Sequence, residues 1–499
     1  MKTTGMGHQL DALARSQGQP YFAFLMDMGT GKTWTSLADA EWLFEQNLID
    51  AIMVAAPKGV HVNWLKREAP THLSVRYKGF IWRGTPTSKK AKAEWASLMA
   101  NASIERELKI LSMNIDAFNT DKGRKHAEEF LERYRCVFIV DEATRIKNPA
   151  AKRTEHITKL GRQAVYRRIL TGSPVTKGPL DLYAPFHFLK GGLLGTRSYR
   201  AFVSEYAVLV PPNSPLMHAI MAKTKAKFTP QVVQQDEHGR PMYRNIDQLI
   251  NLMAPYVHRV RKEDCLDLPP KVREAIYFDL TPAQRKAYDR LYEDNKFATD
   301  LDIVSFVAIA ARTKMKQVTS GFVNIKGEMQ YLCGADNPRE AALNEALDTV
   351  VEGSMIIWAM YDEEIEQVKR VCEERGLTYA VYVGATKADA RERAIDDFQA
   401  KKVDVFIGNP AAAGIGLTLT AAETVIYYTC SYDLELRLQS EDRAHRMGQT
   451  KTVRYIDLIA EDTIDEDVMR SLSRKDDTAR KIVDSDTLLS NSASVQYQP

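Results

Sequence analysis

The chain has 499 residues, 44% hydrophobic and 27% charged, which allows two or three cores and excludes a wholly disordered or collagen-like chain. Its formal net charge of +3 offers no general cationic surface, so a nucleic-acid partner would need basic residues gathered in one groove. No run approaches the roughly 20 apolar residues of a membrane span, the N-terminus lacks the apolar stretch of a secretory signal, and the five scattered cysteines form no CxxC pair. A zinc site and a disulfide framework are therefore not expected, and a reducing cytosol is.

Along the first third, short apolar runs read as buried strands: 21–26 (YFAFLM), 51–55 (AIMVA), 108–112 (LKILS), 136–140 (CVFIV) and 168–171 (RILT). Stretches of helical period lie between them, such as 35–46. Strands alternating with helices imply a parallel α/β sheet. The alternation dissolves over 191–270, rich in Pro, Gly and mixed charge, and 280–316 is helical in character. It resumes at 355–359 (MIIWA), 379–383 (YAVYV), 403–408 (VDVFIG), 424–428 (TVIYY) and 453–458 (VRYIDL). The expected architecture is two α/β lobes, 1–190 and 346–472, separated by a helical insert and linker, 191–345. A polar tail, 473–499, is expected to fray.

Gly29, Thr30, Gly31, Lys32 and Thr33 follow the first strand and precede a helix. That order makes an anion site. Glycines let backbone N–H groups approach phosphates, and the helix end adds partial positive charge. Lys32 is expected to reach the β- and γ-phosphates of ATP, and the Thr33 hydroxyl to bind Mg2+. The full phosphate-loop pattern has glycine at position 26, where this chain has Met26. Asp141 and Glu142 end the run CVFIV, where a carboxylate at a strand's C-terminal end meets such a loop. Asp141 is the expected metal ligand, and Glu142 the group that orients and deprotonates the attacking water.

Gln439, Arg443 and Arg446 stand at i, i+4 and i+7, one face of a helix. Two guanidinium groups on one face suit an anion such as a transferred phosphoryl group. The adjacent Glu441 and Asp442 leave open a solvated, self-paired helix.

The longer motifs resemble one family. DEATRIKN at 141–148, LTGSPV at 170–175 and QSEDRAHRMGQ at 439–449 look like motifs II, III and VI of the SWI/SNF-type ATPases of helicase superfamily two. MGTGKT matches that family's motif I, which often lacks the first glycine. Ala56-Pro57 with Trp64 resembles motif Ia, and 414–418 (GIGLT) motif V. Arg261-Lys262 with 268–271 (LPPK) resembles the segment joining the lobes. Gly384, Arg391 and Phe398 resemble the frame of the second lobe. The likeness runs from Gln9 to Asp467, apart from 191–255.

The resemblance implies two RecA-like lobes and a DNA-dependent ATPase that translocates on double-stranded DNA. It implies Arg446 as an arginine finger, Arg443 as its phosphate-binding partner, Gln439 as an inter-lobe sensor and Gln9 as the adenine reader. It also implies DNA-backbone contacts at Lys58, Asn63, Ser112, Thr171, Ser173 and Thr418. Lys58 reads equally as a solvated loop lysine, and Ser112 and Thr171 as strand-end caps. Thr144 stands where the family usually has histidine, and Thr418 where asparagine is usual. Lys89–Lys92 reads as a solvated helix face. Tyr288 and Tyr292 read as packing residues, and 223–227 (KTKAK) as an insert loop. A strand-separating helicase and a low-turnover nucleic-acid clamp are the rival functions. The small size suggests a bacterial or viral motor.

Overall fold

The computed structural model describes residues 1–100, 106–224, 229–237, 239–300, 306–334, 336–350, 353–412 and 417–493. The first sheet contains β1 (Tyr21–Met26), β2 (Ala51–Ala56), β3 (Tyr77–Trp82), β4 (Leu108–Asn114), β5 (Cys136–Asp141), β6 (Tyr166–Thr171) and β7 (Val257–Val260). Every pairing is parallel, in the order β3-β4-β2-β5-β6-β1-β7. The second sheet contains β8 (Lys271–Phe278), β11 (Ser354–Trp358), β12 (Tyr379–Tyr382), β13 (Val405–Gly408), β14 (Ala422–Tyr427) and β15 (Val453–Ala460). It too is parallel, in the order β12-β13-β11-β14-β15-β8. Between β8 and β11, β9 (Phe322–Ile325) and β10 (Glu328–Tyr331) form an antiparallel hairpin.

The expected fold class is the one observed. The continuous apolar runs form strands because helices cover both faces of each sheet, so neither face of a strand needs polar residues. Ala23, Leu25, Met53 and Phe138 pack on one side of the first sheet, and Phe22, Phe24, Ile52 and Ile139 on the other. In the second sheet Met355, Ile357 and Ile407 face one way, and Ile356, Trp358 and Phe406 the other.

Five strands escaped the sequence reading, the hairpin strands β9 and β10 and three members of the parallel sheets. β3 is an edge strand whose Lys78 and Gly79 break the apolar run, while β7 and β8 sit in the segment expected to be helical insert and linker. That segment holds helices (Tyr199–Tyr206, Ile246–Met253, Pro282–Asp300), yet it also lends an edge strand to each sheet. β8 is largely exposed, so hydrophobicity does not mark it.

The expected frayed tail, 473–499, is corrected over 473–493; residues 494–499 lie outside the described residues. Ile464–Val483 is one helix of 20 residues, followed by a helix over Asp486–Ala493. Ile482, Val483 and Leu488 are buried in the core on one face of the first sheet, so a helix that starts on the second lobe ends against the first. The tail is polar in composition, but its few apolar residues fall on one stripe.

Candidate nucleotide and inter-lobe site

β1 delivers the chain into the loop 27–31, where Gly29 and Gly31 adopt left-handed conformations (φ 82° and 87°). At Gly31 the φ of 87° disfavours any residue with a Cβ, which would also have to displace the Gln9 side chain, whose Nε2 would lie 1.8 Å away. The helix Lys32–Glu45 then begins without a side-chain cap and without an acidic residue in its first turn. Its first N–H groups and positive dipole end therefore stay available to an anion. Lys32 is buried, with Nζ donating to the carbonyls of Met26 (2.9 Å) and Asp27 (3.3 Å). Thr30 is buried and donates to Asp27 O at 2.8 Å, and Thr33 is half-buried.

Gln9 touches this loop directly. Its Nε2 donates to Thr30 O at 3.1 Å, and a ring nitrogen of His8 lies 2.8 Å from the same carbonyl. His8 was not singled out in the sequence. A lone histidine on an otherwise ordinary helix carries no signal until the loop lies beside it.

Asp141 ends β5, and both acids are buried. Trp64 Nε1 donates to Asp141 Oδ2 at 3.0 Å, and the Glu142 amide to Asp141 Oδ1 at 3.0 Å. Glu142 itself has φ 50° and ψ 61°, a strained conformation for a residue with a Cβ. Burial raises the Asp141 carboxyl above its usual range, against the Trp64 hydrogen bond and the Lys32 charge. Burial also raises Glu142, opposed by Lys32 and reinforced by Asp141. Two acids held in this way lack full cationic compensation from the protein. The donor set beside them, one carboxylate and the Thr33 hydroxyl, suits a Mg2+ ion that keeps waters and phosphate oxygens as its other ligands.

The second lobe meets the first here. A Cβ at Gly29 would stand 4.0 Å from Arg446 Cβ. Arg443 and Arg446 do not lie on a helix, as their spacing suggested: the helix Leu434–Glu441 stops before them and 442–448 is a run of turns. They still converge, because both guanidinium groups donate to Leu417 O (3.4 and 3.1 Å). Burial brings Arg443 down to about 10, with Arg446 adding to the fall and Asp442 and Glu142 opposing it. Burial lowers Arg446 as well.

Two further links cross the cleft. Lys262 donates its amide to Asp27 Oδ2 (3.0 Å) and its ammonium to Asp442 and to His445 O (3.0 Å). Thr144 Oγ1 donates to Glu435 Oε1 at 2.7 Å, and Gln439 Nε2 to the same oxygen at 3.0 Å. Gln439 therefore meets the first lobe through Glu435, a residue the sequence reading did not single out.

The expected DNA contacts divide. Lys58 is exposed, and Asn63, Ser173 and Thr418 are half-buried. Ser112 is buried and donates to His61 O at 2.6 Å, and Thr171 Oγ1 accepts from the Ser173 amide at 3.2 Å. Both therefore make internal ties in this conformation, Thr171 at the end of β6 and Ser112 within β4. Residues 414–416 of the GIGLT run and 225–227 of KTKAK lie outside the described residues. Lys89–Lys92 is an exposed helix face, and Tyr288 is buried, its hydroxyl accepting from the Ile464 amide at 2.6 Å.

Two parallel α/β lobes, with a glycine loop and open helix end on one and paired arginines of the other beside it, define a two-lobed fold with a candidate nucleotide site between the lobes. The SNF2-related domain model matches residues 22–337, and the helicase conserved C-terminal domain model matches 339–448. The chain belongs to the SNF2-related family. It is 27% identical over 472 residues to an "Uncharacterized ATP-dependent helicase" of Mycoplasma pneumoniae, covering 91% of this chain and 39% of that protein. It is 24% identical over 470 residues to the mouse (Mus musculus) "Chromodomain-helicase-DNA-binding protein 1-like", covering 90% and 46%. The chain thus spans less than half the length of these relatives. A solved structure, "Sulfolobus solfataricus SWI2/SNF2 ATPase core in complex with dsDNA", is similar over 98% of this chain and 94% of that one, at 21% identity and a TM-score of 0.40.

Proposed function

We propose that this chain is a DNA-dependent ATPase that hydrolyses ATP between its lobes and uses the cycle to move along double-stranded DNA. The observation that carries the reading is the meeting of an uncapped glycine-loop helix end, the buried pair Asp141–Glu142 and the arginines Arg443 and Arg446 at one inter-lobe position. In this reading the amides of 29–33 and Lys32 hold the phosphates. Glu142 orients the attacking water and takes its proton, to which its raised carboxyl range is suited. Arg446, with Arg443, neutralises the charge that develops on the transferred phosphoryl group. Asp141 and Thr33 would hold Mg2+, which when bound offsets the charge between the β- and γ-phosphates. Gln9 supports the loop and reads the adenine of ATP in this reading.

ATP favours closure only through contacts it lacks in the open state. Arg443 and Arg446 supply such contacts, so hydrolysis releases them. The DNA part of the reading is supported by family membership and by the word DNA-binding in the name of a similar protein, and its duplex form by the resemblance of motifs II to VI. Lys58, Asn63, Ser173 and Thr418 are proposed to grip one phosphate backbone without reading bases, so the second strand need not be removed. Ser112 and Thr171 join that grip only after release of their present bonds. The cytosolic setting expected from the cysteines belongs to the same proposal; no helix among the described residues is long and apolar enough to cross a membrane.

ATPase rates with double-stranded DNA, single-stranded DNA and RNA test the substrate. The duplex is expected to stimulate most, with little sequence preference and binding that weakens steeply as salt rises. On a duplex carrying a third strand, ATP should release that strand and leave the duplex paired. Efficient separation of a forked duplex would instead assign a strand-separating helicase, and negligible ATP turnover a clamp.

A further inference from the structure

Beside Glu142, one buried carboxylate of the second lobe is held largely by the first. Glu435 opens the helix Leu434–Glu441, and the Asp433 side chain fixes that helix start by accepting from the amides of Glu435 and Leu436. Glu435 Oε1 takes hydrogen bonds from Thr144 (2.7 Å) and Gln439 (3.0 Å), and Oε2 lies 4.0 Å from Lys147 Nζ. Lys147 in turn donates to Thr176, whose amide and hydroxyl donate to Asp181 Oδ2 at 2.9 and 3.0 Å.

A buried carboxylate is tolerated only when its oxygens are satisfied. Two of the three groups around this one, Thr144 and Lys147, come from the turn that starts at Glu142. Separating the lobes strips Glu435 of both and leaves it with Gln439. The bond to Thr144 is thus available only when the lobes meet, and it ends on the turn that carries the strained Glu142 backbone. Thr144 is short and needs an acceptor close by. Glu435 reaches across to provide it.

We infer that Glu435 is a positioning residue that transmits lobe closure, through Thr144, to the turn holding Glu142. It touches no reacting atom. Its effect on turnover rests on the ATPase reading above, while its effect on the interface does not. A static ion pair with Lys147 would also tie the lobes, but 4.0 Å is a loose pair beside a 2.7 Å hydrogen bond. The two accounts differ over Thr144, which carries no charge.

The test is a double-mutant cycle on the full chain with Thr144→Val and Glu435→Ala. Each is expected to lower kcat in saturating DNA about tenfold with KM for ATP within about twofold, and the double variant to be no slower than the worse single one. Thr144→Ser, which keeps the hydroxyl, should restore the rate. Amide hydrogen exchange of the nucleotide-free protein is followed in parallel. Each damaging variant should speed exchange in both 141–148 and 434–441. Unchanged kcat, effects that multiply, no rescue by serine, or faster exchange in only one segment would overturn the inference. If wild-type protein hydrolyses no ATP under any condition, the ATPase reading fails. The exchange data then decide alone whether the Thr144–Glu435 link holds the two segments together.

Discussion

The two lobes are built on one strand order and differ at one decisive connection. Position by position, β3-β4-β2-β5-β6-β1 in the first sheet matches β12-β13-β11-β14-β15-β8 in the second. β1 and β8 therefore occupy equivalent places. After β1 come two left-handed glycines and a helix start with no side-chain cap. After β8 come Asp279, Leu280 and Thr281, and the helix Pro282–Asp300 closes its own start. Gln284 Oε1 accepts from the Thr281 amide (2.9 Å), Thr281 Oγ1 accepts from the Gln284 amide (3.2 Å), and Pro282 has no N–H to offer. Such a reciprocal cap fills the place where an anion would bind. Fold symmetry thus offers two helix ends that could face an anion, and local side chains leave one uncapped.

The buried acids repeat the contrast. In the first lobe Asp141 and Glu142 are pushed up by burial, with too little cationic charge around them. In the second, burial also pushes Glu441 up, but Lys271, Arg437 and Arg273 outweigh it and hold its carboxyl at about 2. One pair is left wanting a partner, and the other acid is satisfied within its own lobe.

The largest expected effect breaks the asymmetry of function between the lobes. Arg446→Ala should cut turnover by roughly a thousandfold or more, with nucleotide affinity largely intact, as for a contact made mainly in the transition state. Glu142→Gln should slow turnover by about a thousandfold while ATP still binds. Because it removes a poorly compensated buried charge, it should also raise the melting temperature. Single-turnover rates and nucleotide titrations check both; near-normal turnover in either variant removes that residue from the site.

Glu441→Gln is expected to do the reverse in stability, costing about 3 kcal/mol at neutral pH from the gap between an ordinary carboxylate and one at about 2. The sign follows from linkage. A carboxyl lowered on folding contributes fully above its unfolded range near 4.5, and that contribution is lost as pH falls from about 4.5 to about 2. Denaturant titrations over that range should show wild type losing stability more steeply than the variant. Parallel curves would show that Glu441 has no such role.

The smallest effect sharpens the comparison of the two connections. Thr281→Ala should cost about 1 kcal/mol, the usual value of a lost N-cap, and leave ATP affinity unchanged. Lys32→Ala, at the equivalent helix start in the first lobe, should lose tight ATP binding. A nucleotide affinity that moved with Thr281 would place a second site where the structure shows a closed helix end.

Sequence alone determined the class of fold and the glycine loop before an uncapped helix, because both depend on local patterns. An apolar run such as YFAFLM must be buried on two faces, and a GTGKT turn after it has few other uses. Residues that act through neighbours distant in the chain were not legible. β8 is largely exposed and mixes Lys271, Arg273 and Glu274 with apolar residues, and it is a strand because β15 pairs with it along its length. Glu435 and His8 take their places from partners that no spacing reveals. Arg443 and Arg446 were legible as a pair, but their convergence comes from a turn and a shared carbonyl rather than a helix face. The polar segment 473–493 is helical because the first lobe offers Ile482, Val483 and Leu488 an apolar surface to cover. Periodicity reports what a segment can bury. Only the packed lobes decide where it is buried, and which buried charges are left for a ligand to satisfy.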